Sequence, residues 1–269
     1  MRLPWIPIII VAILLICGVF APLLAPHDPE FINILDTRTP PGKTLTYPLG
    51  TDILGRDMLS RLIFGARTAI FISVVALGTG AFVGTALGLI SGYREGWADL
   101  IIMRAADAAL GFPTILVAMI IVVLLGAGIE NIILAVALTV WARFARMIRG
   151  DVLSIKGRDF ITLAKIAGVS TRVILLRHVF PNTVNTLMVI TSLLVGQVIL
   201  LEASLSFLGL GLPPGAPAWG IMVSEGKGEI LTVWWLSLFP GVAITIVVLA
   251  FNFFGDWLRE SLDPKLRRA

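Results

Sequence analysis

Hydrophobic residues in this chain fall in long unbroken runs, with neither the alternation of a strand nor a narrow helical stripe. Trp5 to Ala25 holds 21 residues without a charge, Thr68 to Tyr93 26, Ala108 to Ile129 22, Val179 to Leu201 23 and Ile230 to Gly255 26. A bilayer core about 30 Å thick takes about 20 apolar residues of helix, so each run predicts a spanning helix. A sixth run, Asn131 to Ala142, has 12 residues before Arg143, Arg146 and Arg149. It spans if those arginines lie among the headgroups and snorkel. The pattern predicts an all-α, polytopic membrane protein with six transmembrane helices.

Composition supports this. Apolar residues make up 57% and charged residues 14%, and the mean hydropathy is +0.96, whereas an average soluble domain carries about 25% charge. A soluble enzyme and a disordered chain are both excluded. The lone Cys17 sits in an apolar run and reads as a packed small hydrophobe. Arg2 before the first run suggests a signal peptide, but Pro26 after Ala25 is a poor cleavage context, so an uncleaved anchor is preferred.

The net charge of +4 acquires meaning from its distribution. With the amino terminus inside, the inner segments hold 15 of the 21 basic residues, among them Arg94, Arg104, Lys156, Arg158, Arg172, Arg177 and Arg259. This bias places both termini in the cytoplasm and assigns the charge to one membrane face, not to nucleic acid. The outer segments are 26–67 and 204–229; the inner ones are 94–107 and 146–178. Gly80, Gly84, Gly88 and Gly92 form a small-residue ridge on one face of the second span, a packing face toward this chain or another subunit.

Chemistry is scarce. Two histidines and one cysteine give no metal-ligand cluster. Gly50 and Gly55 are followed by Arg56-Asp57, and Gly42-Lys43-Thr44 has Thr37 at the first glycine position, so neither is a phosphate loop. There is no nucleophile elbow. We therefore expect no catalytic residue, no metal and no cofactor in this chain. Glu202, at the end of the fifth span, reads either as an interfacial carboxylate or as a polar group near a translocation path. Few ionisable groups lie within spans, which disfavours an ion-driven carrier or channel, the alternative reading.

The inner segment carries the sharpest feature. Asp159 is suited to cap a helix from Phe160, and Gly168 to stop it. Phe160, Leu163, Ala164 and Ala167 fall on one face. Such a short helix either lies on lipid or inserts into a partner's groove. A second helix follows from Thr171 and runs through Pro181 into the membrane.

This segment resembles the EAA loop of ABC-transporter permeases, Glu-Ala-Ala-x3-Gly-x9-Ile-x-Leu-Pro. With Gly168 on its glycine, Pro181 falls on its proline and Ala164 on its second alanine. Thr162 and Leu163 replace Glu and the first Ala, and His178 and Phe180 replace Ile and Leu. Further motifs narrow the resemblance: Tyr47-Pro48-Leu49-Gly50-Thr51-Asp52, Phe112-Pro113, Phe180-Pro181-Asn182, Glu202 to Gly211, Trp219-Gly220, and Asn252 to Arg259 with Leu262-Asp263-Pro264. Together they are similar to the C-type permease subunit of dipeptide and oligopeptide (peptide/nickel) ABC importers.

The resemblance implies a type I importer permease fold in a bacterial or archaeal cytoplasmic membrane. It implies a homologous second permease, two cytoplasmic ATPases that bind ATP and Mg, and an extracytoplasmic substrate-binding protein. It divides the chain into an anchor helix with outer segment (1–67) and a core permease domain (68–269) with a coupling helix at about 158–170. Phe160, Leu163, Ala164, Lys165, Gly168, Val169, Ser170 and Pro181 would form the ATPase-coupling loop. Glu202, Pro213, Pro214 and Trp219 would contribute to the outer gate or path, with Trp219 at the membrane interface.

Overall fold

A computed structural model describes residues 3–262. Arg2, the Asp263-Pro264 pair, Lys265, Arg267 and Arg268 lie outside the described residues. The elements are α1 (Trp5–Val19), α2 (Ala21–Leu24), α3 (Met58–Arg94), α4 (Gly96–Gly111), α5 (Thr114–Leu125), α6 (Ile129–Lys156), α7 (Asp159–Ile166), α8 (Thr171–Val173), a π turn (Ile174–Val179), α9 (Phe180–Phe207), α10 (Trp219–Gly226) and α11 (Trp235–Leu262). Among the described residues there is no sheet, only an isolated bridge between Thr51 and Asp57.

Four helices, α3, α6, α8–α9 and α11, are long and apolar enough to cross a bilayer, and the bent pair α4–α5 makes a fifth. The expected count of six is reached only by adding α1, an apolar helix of 15 residues. The third span differs from its expected form. Its uncharged run breaks at Phe112-Pro113, and α4 and α5 meet at 93°. Proline disfavours the helical conformation in the residue before it. Phe112 accordingly takes φ −102°, ψ 147°.

The longest helix, α3, starts where the Asp57 carboxylate accepts the amides of Leu59 and Ser60, the latter at 3.0 Å. This caps otherwise unpaired N–H groups. Its 37 residues rise about 56 Å, so its ends pass beyond the hydrocarbon. Gly80, Gly84, Gly88 and Gly92 all face α6. A Cβ at Gly84 would lie 2.3 Å from the Trp141 carbonyl oxygen, and one at Gly88 2.6 Å from that of Ala145. The ridge thus lets two backbones of this chain approach closely.

Around this seam Ile72, Ala76, Val140, Phe144, Leu194 and Val198 form a core shared by α3, α6 and α9. A second core joins α1, α3, α10 and α11 through Leu14, Ala66, Trp219, Trp235 and Val247. Large apolar side chains on the outer faces of α1 and α5, such as Ile6, Ile9, Ile120 and Val123, stay exposed, as suits helices solvated by lipid.

Candidate functional site: a projecting helix and an outer clamp

At the end of α6 the chain turns into the eight-residue helix α7. The helix begins one residue earlier than expected. Arg158 is its N-cap, and no side chain caps it, so Asp159 does not play that part. The stop is at Gly168, whose φ of +75° is the left-handed conformation. The Gly168 amide donates to the Lys165 carbonyl and the Val169 amide to that of Ala164, each at 3.0 Å. This is a Schellman arrangement, and a glycine adopts it without the clash a Cβ would bring.

The helix is oriented by its inner side. Ile161 is fully buried against Ile155, Ile174 and Val179, with Ala164 and Val169 packed on the same cluster. The outward side carries Phe160, Leu163 (64% exposed), Ile166 (79% exposed) and Ala167. So Ala164 belongs to the base, not to the free apolar face, and Ile166 takes its place there. Ile166 was not singled out because two apolar stripes share this short helix, and the tertiary partner of Ile161 decides which turns in. Lys165 also bends back, its Nζ 5.5 Å from the centre of the Tyr93 ring.

Ser170 is exposed and precedes α8, and Pro181 lies exposed in the first turn of α9. A proline inside a helix clashes with the carbonyl four residues back. The π turn before it widens the ladder, and the Phe180 amide donates to the Leu175 carbonyl instead.

At the opposite end the outer segments are locked by four buried or half-buried charges. Asp52 Oδ2 accepts from Arg56 Nε and Arg61 Nη1, both at 2.6 Å. Glu225 of α10 accepts from Arg56 Nη2 at 3.0 Å and Arg61 Nη1 at 2.7 Å. Two cations and two carboxylates cancel, which is the condition for burying them. Burial works against the charge on Arg56, but Asp52 and then Glu225 outweigh it and hold the guanidinium above its ordinary range. The clamp ties 52–61 to 225 across more than 160 positions of sequence, which no local pattern reveals.

The four candidate gate residues part company. Pro213 and Pro214 are exposed in the loop before α10. Trp219 is buried within the protein: it is 4% exposed, and its Nε1 donates to the Leu62 carbonyl at 3.0 Å. The absent side chain of Gly65 makes room for the ring, whose Cδ1 would meet a Cβ there at 2.4 Å. Glu202 is buried as well. It is 2% exposed and accepts from Ser206 Oγ at 2.7 Å. Trp219 borders an apolar cavity of about 250 Å³ lined by Leu14, Cys17, Leu62 and Val247.

The three arginines of α6 lie inside the helix. The helix continues 13 residues past Arg143 to Lys156, so Arg143 is not at its end. Arg149 pairs with Asp99 at 2.6 Å, and Arg146 pairs with Asp107. No group of three or more His, Cys, Asp or Glu side chains among the described residues could hold a metal ion.

The described residues form a bundle of apolar helices with a short, partly exposed apolar helix at one end. Residues 84–268 match the family of binding-protein-dependent transport system inner membrane components, and the chain belongs to it. It is 41% identical over 258 residues to the glutathione transport system permease protein GsiD of Pectobacterium atrosepticum, covering 96% of this chain and 85% of that protein. It is 43% identical over 257 residues to GsiD of Escherichia coli O157:H7 and of Shigella sonnei, covering 96% of this chain and 84% of each. The chain is thus homologous to ABC importer permeases of the peptide/nickel family, a family that is not itself catalytic.

Proposed function

We propose that this chain is one of two homologous permeases of an ATP-driven importer of di- and oligopeptides or similar small solutes, glutathione among them. In this reading it lies in the cytoplasmic membrane with both termini inside. Residues 1–67 anchor the core domain 68–269. Two cytoplasmic ATPases bind the ATP and Mg, and a binding protein delivers solute to the outer face, where Pro213 and Pro214 are exposed.

The observation that carries the reading is α7. Its base is fixed by Ile161, while Leu163 and Ile166 remain largely exposed among the described residues. Exposed apolar side chains on a rigid stub are suited to a partner's groove. Phe160, Leu163 and Ile166 would insert there, and Gly168, Val169 and Ser170 would shape the turn behind them. Closure of the ATPases on ATP would drag α7 and, through the Ile161 cluster, tilt α6 and α9 between outward and inward access as rigid bodies.

The test is uptake into proteoliposomes by the assembled complex. ATP- and binding-protein-dependent uptake of labelled glutathione or Ala-Ala is expected. Gly168→Asp should leave the protein in the membrane and abolish uptake, because nothing lies within 4 Å of a Cβ there and the change acts on the turn alone. Uptake at the normal rate with Gly168→Asp would contradict the docking role.

A further inference from the structure

Arg143 stands apart from its neighbours on α6. Arg146 and Arg149 have carboxylate partners, whereas among the described residues the polar contacts of Arg143 are neutral. Its Nη1 donates to Gln197 Oε1 on α9, and its Nη2 lies 3.5 Å from Thr114 Oγ1 at the start of α5. Its depth follows from the glycine seam. A Cβ at Gly84 would touch Trp141, Phe144 and Ala145, so Arg143 is level with Gly84. Ten residues separate Gly84 from Arg94, about 15 Å of helix. Arg143 is therefore about 15 Å of helix inward of the level of Arg94, and an arginine facing lipid within a span is costly.

The side of the molecule it occupies mixes polar and apolar side chains. Arg143, Met147, Asp151 and Ser154 recur at helical spacing on one face of α6, and Asn182, Thr186, Val189 and Gln197 do so on α9. Apart from Arg143 and Gln197, these residues line a cavity of about 420 Å³, together with Arg158 and Arg259. Asp151 Oδ2 is buried there without a hydrogen-bond partner. The Arg143–Gln197 pair lies on the same two helix faces as that cavity, with Met147 and Val189 between them, and Gln197 is exposed.

We infer that Arg143, with Gln197 and Thr114 beside it, is a carboxylate-binding station in the middle of the translocation path, on the face the second permease closes. A guanidinium with only neutral contacts keeps free donors for a planar carboxylate. The inference rests on the transport reading above. A passing peptide carboxylate would replace Gln197 as the partner of Arg143 and leave as the helices tilt.

The decisive variant is Gln197→Glu, which places a fixed carboxylate against Arg143. If the pair is a station, the variant is self-occupied. The complex should assemble with at least wild-type thermal stability, while uptake of glutathione and of Ala-Ala falls about tenfold or more with a raised half-saturation concentration. Arg143→Gln should lose uptake similarly, and Arg143→Lys should keep part of it. If Arg143 only holds α6 to α9, Gln197→Glu strengthens that link and leaves uptake at the wild-type level, which overturns the assignment. A wild-type complex that takes up neither probe overturns the transport reading, and this station with it; normal wild-type uptake with a silent Gln197→Glu overturns the station alone.

Discussion

Substituting Gly84 by alanine should loosen the central seam by an amount the structure sets. The added Cβ would meet the Trp141 carbonyl oxygen at 2.3 Å, the Phe144 Cβ at 2.6 Å and the Ala145 nitrogen at 3.1 Å. All three atoms are backbone or the first atom of a side chain, so no flexible tail can swing away and the helices must part. Gly78→Ala, on the same helix with nothing within 4 Å, is the matched control. Both variants gain the same helix propensity from losing a glycine, so that gain cancels in the comparison. What remains is overpacking of about 1–3 kcal/mol. At about 2–4 °C per kcal/mol for a chain of this size, Gly84→Ala should melt about 2–12 °C below Gly78→Ala. Thermal unfolding in mild detergent, followed by tryptophan fluorescence, reads the difference. Equal melting temperatures for the two variants would refute the close α3–α6 contact.

Three further outcomes follow from the same geometry. Asp52→Asn removes the carboxylate shared by Arg56 and Arg61 and leaves buried cations under-compensated, so it should cost about 3–5 kcal/mol, read as a lower denaturation midpoint. Trp235→Phe loses the 3.0 Å bond from its Nε1 to the Thr51 carbonyl and should cost about 1–3 kcal/mol by the same assay. Gly168→Ala meets no atom but forces a side chain into a φ of +75°. It should destabilise the α7 stop by about 1–2 kcal/mol, seen as faster hydrogen exchange of the Val169 amide with the rest of the bundle unchanged.

Much of the architecture was legible because membrane helices write themselves as charge-free runs, and because turns need particular residues. The run from Thr68 to Tyr93 lies within α3, and Gly168 stands where the chain must turn. The 93° break at Pro113 escaped the pattern. A count of apolar residues measures length and carries no direction, although the proline was in plain view. The burial of Trp219 and Glu202 is hidden from the sequence for a related reason. Both sit near the ends of hydrophobic segments, where a bilayer interface is the natural expectation, but α10 folds back and Trp219 is buried against α3.

The Asp52–Arg56–Arg61–Glu225 clamp and the Arg143–Gln197 contact join residues distant in the sequence, and each partner alone looks like an ordinary loop or headgroup charge. The free face of α7 was half legible. Phe160 and Leu163 point outward as their spacing suggests, while Ala164 is drawn in beside Ile161, and Ile166 is left in its place.

The account turns on α7 as the attachment point of an ATPase. The direct measurement is co-purification of the assembled complex carrying Leu163→Asp and Ile166→Asp together, since both side chains are exposed and their loss leaves the Ile161 anchor intact. The wild-type chain should retain its ATPase partners through size-exclusion chromatography, and the double variant should elute as a folded permease pair without them and without solute-stimulated ATP hydrolysis. Full retention of the ATPases and wild-type stimulated hydrolysis in the double variant would contradict the account.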